Sequence, residues 1–157
     1  MTTILPMRSD DTNEVARIHS QQFARQCNSS QWISCNFAAF PRIMIFVARD
    51  EKNQIIGYIQ WIQKSGFRQD TVIELEQIAV HQDNQGIGNG EKLIKESLSA
   101  IKNYLNDNHK KLKAVLVTTR SDNKAQKLYK KALGAKVVSI IKDLYSHDEV
   151  IMIANDV

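Results

Sequence analysis

The sequence predicts a mixed α/β (α+β) fold in which a mostly antiparallel sheet of six to seven strands is flanked by about four helices. Three observations carry this expectation. Short β-rich runs and segments of helical period alternate along the chain. Two of the runs, Ile43 to Arg49 and Ile55 to Gln63, flank the turn-prone Asp50-Glu51-Lys52-Asn53 and therefore read as a hairpin. A strand, a glycine-rich loop and an amphipathic helix then follow one another directly at mid-chain.

Taken in order, Ile4 to Met7 is a short first strand, and Asp10 or Asp11 can cap a helix whose apolar face is Val15, Ile18, His19 and Phe23. A shorter helical segment runs from Ser30 to Phe40 and is ended by Pro41. After the hairpin, a loop at Ser65 to Asp70 leads into a strand from Thr71 to Val80. Its Ile73, Leu75, Gln77 and Ala79 point to one face, and Glu74, Glu76, Ile78 and Val80 to the other. Gln82 to Gly90 is the glycine-rich loop. Leu93, Ile94, Leu98, Ile101 and Leu105 mark the following helix, which ends near Asn106-Asp107-Asn108. A strand from Ala114 to Thr118, a helix from Asn123 to Leu133 stopped by Gly134, and strands Lys136 to Lys142 and Val150 to Ala154 complete the chain.

The 157 residues suit a single domain, residues 1–157, with one core, and no repeat, linker or low-complexity tract interrupts them. The composition, 43% hydrophobic and 24% charged, excludes disordered and collagen-like classes. Cys27 and Cys35 provide neither a disulfide framework nor a four-ligand zinc site, so a reducing compartment and no metal are expected. The longest apolar run, Ile43 to Ala48, is far too short for a membrane helix, and the N-terminus lacks a signal-peptide pattern, which makes the cytoplasm the expected location. With 21 Lys and Arg against 17 Asp and Glu, the net charge is +4, but no nucleic-acid recognition motif accompanies it. The densest basic run, Lys110 to Lys113, reads as a solvated helix end.

The loop Gln85-Gly86-Ile87-Gly88-Asn89-Gly90, set between strand Ile78-Ala79-Val80 and a helix start, is suited to an anion. Glycines let the backbone adopt positive φ and approach a ligand, and a helix N-terminus aims N–H donors at phosphate. A P-loop is rejected because Lys92 is followed by Leu93 instead of Ser or Thr. A dinucleotide fingerprint fits poorly, since Glu91 stands at the third-glycine place and the loop lies mid-chain. A flexible turn without a ligand does not require three alternate glycines at a helix start.

This loop resembles the Q/R-x-x-G-x-G/A signature of the GNAT N-acetyltransferase superfamily, whose loop cradles the pyrophosphate of acetyl coenzyme A (acetyl-CoA). The block Asn123-Lys124-Ala125-Gln126-Lys127-Leu128-Tyr129 through Gly134 is similar to the family's N-x-x-A-x-x-L-Y-x-x-x-G pattern. Gln82, Asn89 and Ala135 depart from it, standing where the family often has Pro, an aliphatic residue and Phe. The resemblance implies a GNAT-like fold and acetyl-CoA as co-substrate. It also implies a small-molecule or peptide amine acceptor attacking directly, with no nucleic-acid or membrane partner, and a homodimer as family-level assembly.

By the same resemblance Glu74 stands where many members carry a general base, with Glu76 as runner-up; either could instead face solvent or form an ion pair. Tyr129 matches the tyrosine that protonates the leaving thiolate, and a phenol with a pKa of about 10 can do so, although a core aromatic is the competing reading. Asn123 is a helix cap, a group near the pantetheine arm, or both. The backbone of Ile78 and Val80, with Ala79 between them, would bind the pantetheine amides, and Gln85, Gly86, Ile87, Gly88, Asn89 and Gly90 the phosphates. The acceptor walls would draw on Phe23, Arg25, Trp32, Phe37, Phe40, Tyr145 and His147. His19 and His147 are weaker candidates for a base, and Cys27 and Cys35 have no base neighbour in sequence to make them nucleophiles. A non-catalytic acyl-CoA-binding regulatory module is the alternative function. The hairpin and the last strands are the expected assembly edges.

Overall fold

The computed structural model describes residues 1–155 and 157. Among them seven strands and four α-helices form: β1 (Thr3–Pro6), α1 (Thr12–Gln22), α2 (Ser29–Ala38), β2 (Ile43–Arg49), β3 (Ile55–Gln63), β4 (Asp70–Val80), α3 (Asn89–Asp107), β5 (Lys111–Arg120), α4 (Gln126–Leu133), β6 (Lys136–Ile141) and β7 (Glu149–Ala154). The sheet order is β1-β2-β3-β4-β5-β7-β6, with β4 and β5 parallel. The hairpin β2–β3 thus lies inside the sheet, because β1 pairs with β2 from Thr3↔Arg49 to Pro6↔Phe46. The edges are β1 and β6, which corrects the expectation of an assembly edge at the hairpin.

Two other boundaries differ from the sequence reading. The Lys110–Lys113 run is not a helix end: α3 stops at Asp107, and parallel pairing with β4, beginning at Asp70↔Lys111, draws Lys111 to Lys113 into β5. Helix α4 begins at Gln126 because Asn123 is spent on capping the turn before it.

The chain packs as two compact units, Met1–Trp61 with Gln77–Ser97, and Ile62–Glu76 with Leu98–Val157. In the first, α1 packs on α2 and buries Val15, Ile18 and His19 of the face its periodicity predicts, whereas Phe23, the fourth, lies just past the helix end and is half-buried. Asp11 does not cap α1. Its carboxylate instead accepts from the Arg8 N–H at 2.9 Å and from Arg49 Nη2 at 2.5 Å. Gly57 on β3 is required by close approach, since a Cβ there would meet the Ala79 carbonyl oxygen at 2.8 Å and Val80 Cα at 3.2 Å. With the His81 N–H donating to the Ile56 carbonyl at 2.7 Å, this contact holds the end of β4 from which the glycine loop departs.

The first unit also contains a polar network around the buried His19, Tyr58 and Gln77. Gln26 Oε1 can only accept, so His19 Nε2 carries the proton and donates to it at 2.9 Å, while the Ser29 hydroxyl donates to His19 Nδ1 at 2.8 Å. Gln77 Oε1 in turn accepts from Trp32 Nε1 at 3.0 Å and from the Tyr58 hydroxyl at 3.1 Å. Burial holds His19 below the ordinary value of 6.5, opposed by its bond to Gln26. The folded state therefore resists a proton that the unfolded chain accepts, and His19's contribution to stability is present above pH 6.5 and lost as pH falls through the depressed folded-state value. The expected result is a melting temperature that declines below pH 6.5, and a flatter decline in His19→Leu; thermal unfolding of both proteins across that range checks it.

The second unit is built on β5 and β7, antiparallel from Val115↔Ala154 to Arg120↔Glu149, with β6 outside β7. Leu98, Ile101 and Leu105 are the buried residues of its part of α3. Gly134 ends α4 in the left-handed region at φ 68°, and the Gly134 and Ala135 N–H groups close the last turn onto Lys130 and Tyr129. Ala135 is buried there.

Candidate functional site

In the first unit, β4 ends at Val80 and a short 3-10 turn, Gln82–Asn84, leads into the loop. Gly86 and Gly88 adopt φ values of 75° and 91°, and a Cβ at either would meet nothing within 4 Å. The left-handed backbone, not crowding, therefore selects glycine at both. Gly90 differs: it lies within α3, so the third glycine is a helix residue. The Lys92 N–H bonds the Gly88 carbonyl at 3.0 Å, the first bond of α3, so the N–H groups of Asn89 and Gly90 have no carbonyl four residues back. Gln85, Gly86, Ile87 and Gly88 are exposed. The result is a short, accessible cradle of backbone donors at the positive end of a 19-residue helix.

Side chains hold that cradle in shape. Gln85 Nε2 donates to the Val80 carbonyl at 2.7 Å, stapling the loop to the strand it leaves. Asn89 is buried; its Nδ2 donates to the Asn84 carbonyl at 3.0 Å, and its Oδ1 accepts from the Thr2 hydroxyl at 2.9 Å. The Lys92 ammonium donates to the Thr2 carbonyl. Glu91, in the first turn, is ion-paired with Lys95 at 2.8 Å. The side chains of Gln85 and Asn89 thus brace the loop, and the Gln85 N–H is itself bonded to the Gln82 carbonyl at 3.3 Å.

In the second unit, Glu74 lies where the parallel register of β4 reaches Leu116 on β5. Its side chain is 14% exposed and its carboxylate pairs with Lys64 Nζ at 2.9 Å. Glu76 is exposed. Asn123 Nδ2 donates to Thr119 Oγ1 at 2.8 Å while its Oδ1 accepts from the Ala125 N–H at 2.9 Å, so this one side chain ties β5 to the start of the last helix. Tyr129, on α4, is buried, and burial pushes its phenol up to about 12. Tyr145 and His147 lie exposed in the loop after β6, with the Ser146 hydroxyl 3.0 Å from His147 Nδ1.

The acetyltransferase (GNAT) domain matches residues 41–132, more than half the chain. The chain belongs to the GNAT family. The matched span of this GNAT chain contains Glu74, Glu76, the whole glycine loop, Asn123 and Tyr129. Its fold is similar along nearly its whole length to Arabidopsis thaliana NAA60 solved with acetyl-CoA, at TM-score 0.78 and 16% identity over 99% of each chain. A spermidine N-acetyltransferase SpeG chimera from Vibrio cholerae and hSSAT aligns at TM-score 0.76 and 17% identity over 98% of this chain and 96% of that one. Ard1 from Thermoplasma volcanium aligns at TM-score 0.73 and 18% identity over 99% and 98%. No curated protein matches the GNAT chain in sequence.

Three features of this GNAT domain escaped the sequence reading. Lys64 beside Glu74 follows from register: the Lys64 N–H bonds the Val72 carbonyl at 2.9 Å, which sets its side chain diagonally across from Glu74. Counting back across the Ser65–Asp70 loop would have paired them. The Gln85 staple and the His19 network carry no such local signal, because each joins residues from different elements. Trp32, an expected acceptor wall, is tied through its indole N–H to Gln77, and Phe40 is exposed. Cys27 and Cys35 are exposed free thiols. Among the described residues no helix is long and apolar enough to cross a membrane, and no group of three His, Cys, Asp or Glu side chains is arranged to hold a metal ion.

Proposed function

We propose that this protein transfers an acetyl group from acetyl-CoA to a primary amine of a small molecule or a peptide. The observation that carries the reading is the loop itself: in a GNAT domain, two left-handed glycines deliver the N–H groups of Asn89 and Gly90 to the start of a long helix. That arrangement fits a pyrophosphate, being exposed, backbone-built and positively polarised. The departure at Asn89 supports the fit, since its buried side chain braces the cradle and leaves its N–H available.

When bound, acetyl-CoA supplies an activated thioester carbonyl. The rest of the chemistry is asked of the chain. The main-chain groups of Ile78 and Val80 are assigned to the pantetheine amides and those of Gln85 through Gly90 to the phosphates. Glu74, partly buried, takes the proton from the attacking amine nitrogen, directly or through water. Lys64 fixes its carboxylate between turnovers and, being 39% exposed, can swing into solvent when a cationic amine arrives. Glu76, two residues along the same strand, adds negative charge that favours an amine over an acid or alcohol. Tyr129 supports the leaving sulfur from a hydroxyl that stays protonated through the neutral range.

Thermal unfolding with acetyl-CoA, and with NADH and ATP for comparison, tests the reading. A ligand at a hundredfold excess over Kd stabilises the folded state by about 2.7 kcal/mol, which in a chain of this size raises Tm by several degrees. Acetyl-CoA is expected to do so and the other two are not; no shift, or a shift only with NADH or ATP, overturns it. Spermidine and a short peptide with a free N-terminus are the first acceptors to try, since the fold relatives include a spermidine N-acetyltransferase.

A further inference from the structure

The ammonium nitrogen of Lys64 is a primary amine 2.9 Å from Glu74 Oε2, within the reach a base needs to take a proton from an attacking amine. The sheet builds this contact in. Lys64 directly follows β3, its N–H bonds the Val72 carbonyl at 2.9 Å, and Glu74 comes two residues later on β4. Beyond Lys64 the chain turns away through Ser65 and Gly66, at φ values of 57° and 85°. That turn is closed by the Arg68 N–H on the Gly66 carbonyl at 3.1 Å and by Arg68 Nε on the Ser65 carbonyl at 2.9 Å. The backbone of Lys64 is thus fixed, while its four-carbon stem lets the nitrogen move about Glu74.

We propose that Lys64 is a site of self-acetylation: with acetyl-CoA bound and no acceptor amine present, its nitrogen takes the acceptor's place beside Glu74 and receives the acetyl group. The inference rests on the acetyl-transfer reading with Glu74 as base, and it adds a substrate within the chain itself. The Lys64 ammonium gives one proton to Glu74, and the freed lone pair forms an N–C bond to the thioester carbonyl carbon. The C–S bond breaks and the departing thiolate takes up the second nitrogen proton. One amide, one free thiol and one released proton result. The amide is neutral, so the ion pair with Glu74 is lost once the transfer is complete. Two other lysines form carboxylate pairs as tight, Lys95 with Glu91 at 2.8 Å and Lys142 with Asp148 at 2.6 Å. Their side chains are 56% and 75% exposed against 39% for Lys64. Unassisted reaction with acetyl-CoA from solution therefore favours Lys95 and Lys142, whereas transfer from a bound thioester favours the lysine at the base.

Incubation of the protein with acetyl-CoA alone, followed by peptide mass spectrometry over time, tests the proposal beside thermal unfolding with acetyl-CoA and turnover of spermidine or a peptide amine. Lys64 is expected to carry the acetyl group well before Lys95 and Lys142, at a rate independent of protein concentration. An acceptor that is turned over is expected to slow the labelling, because it must stand in the same place. In Glu74→Gln the labelling of Lys64 is expected to be slower on the order of a hundredfold, with that of Lys95 and Lys142 unchanged. A protein that shows the acetyl-CoA shift and acetylates an acceptor, yet leaves Lys64 unlabelled, overturns the proposal while the acetyl-transfer reading stands. So does labelling of Lys64 that is no faster than that of Lys95 and Lys142, or that is unaffected by Glu74→Gln. No shift together with no acetylated amine of any kind overturns both.

Discussion

Glu74→Gln is expected to lower acetyl transfer on the order of a hundredfold or more while leaving the fold and acetyl-CoA binding intact. An amide has the shape and hydrogen-bonding reach of the carboxylate but cannot accept a full proton from the amine. The substitution also breaks the ion pair with Lys64, whose side chain is 39% exposed, so the stability lost is at most about 1 kcal/mol. Steady-state kinetics with a good acceptor, beside thermal unfolding with and without acetyl-CoA, separates the outcomes. Lost turnover with an unchanged ligand-induced shift assigns the proton to Glu74. Wild-type turnover removes it from the mechanism, and the same measurement on Glu76→Gln shows whether its neighbour has the role.

Tyr129→Phe is expected to reduce kcat about as steeply, with a smaller effect on the acceptor KM. Its burial bears on how it acts. With the phenol pushed up to about 12, complete proton transfer to a thiolate whose ordinary value is about 8.5 is uphill by several pKa units. In the proposed mechanism Tyr129 would therefore act chiefly as a hydrogen-bond donor to the sulfur as the C–S bond breaks, its phenol staying protonated below about pH 12. The pH–rate profile of the variant should keep the wild-type shape at lower amplitude up to about pH 10. A variant that loses an alkaline limb present in the wild type would show a Tyr129 that titrates lower during turnover. The same burial raises the folded-state value above the unfolded one of 10, so its stabilising contribution is complete below pH 10 and lost as pH rises through about 12.

Much of the fold was legible because its signals are local. The boundaries of β2 and β3 match the apolar runs on either side of Asp50–Asn53, and α3 ends within the Asn106–Asn108 segment as its polarity predicts. Where local signals conflict with pairing, pairing wins: the Lys110–Lys113 run looks like a helix end until β4 offers it a parallel partner. The hairpin likewise has the look of an edge until β1, forty residues earlier in the chain, is found beside it.

The glycine cradle is a property the sequence determines by itself. Positive φ at Gly86 and Gly88 and the first-turn donors of α3 follow from which residue types stand next to one another, and backbone sterics need no distant partner to enforce them. The ionic partner of Glu74, the neutral state of His19, the raised phenol of Tyr129 and the bare edge of β6 were decided only by tertiary structure. Each depends on what lies across a strand or above a ring. Desolvation and ion pairing are set by neighbours in space that helical and strand periodicities cannot specify.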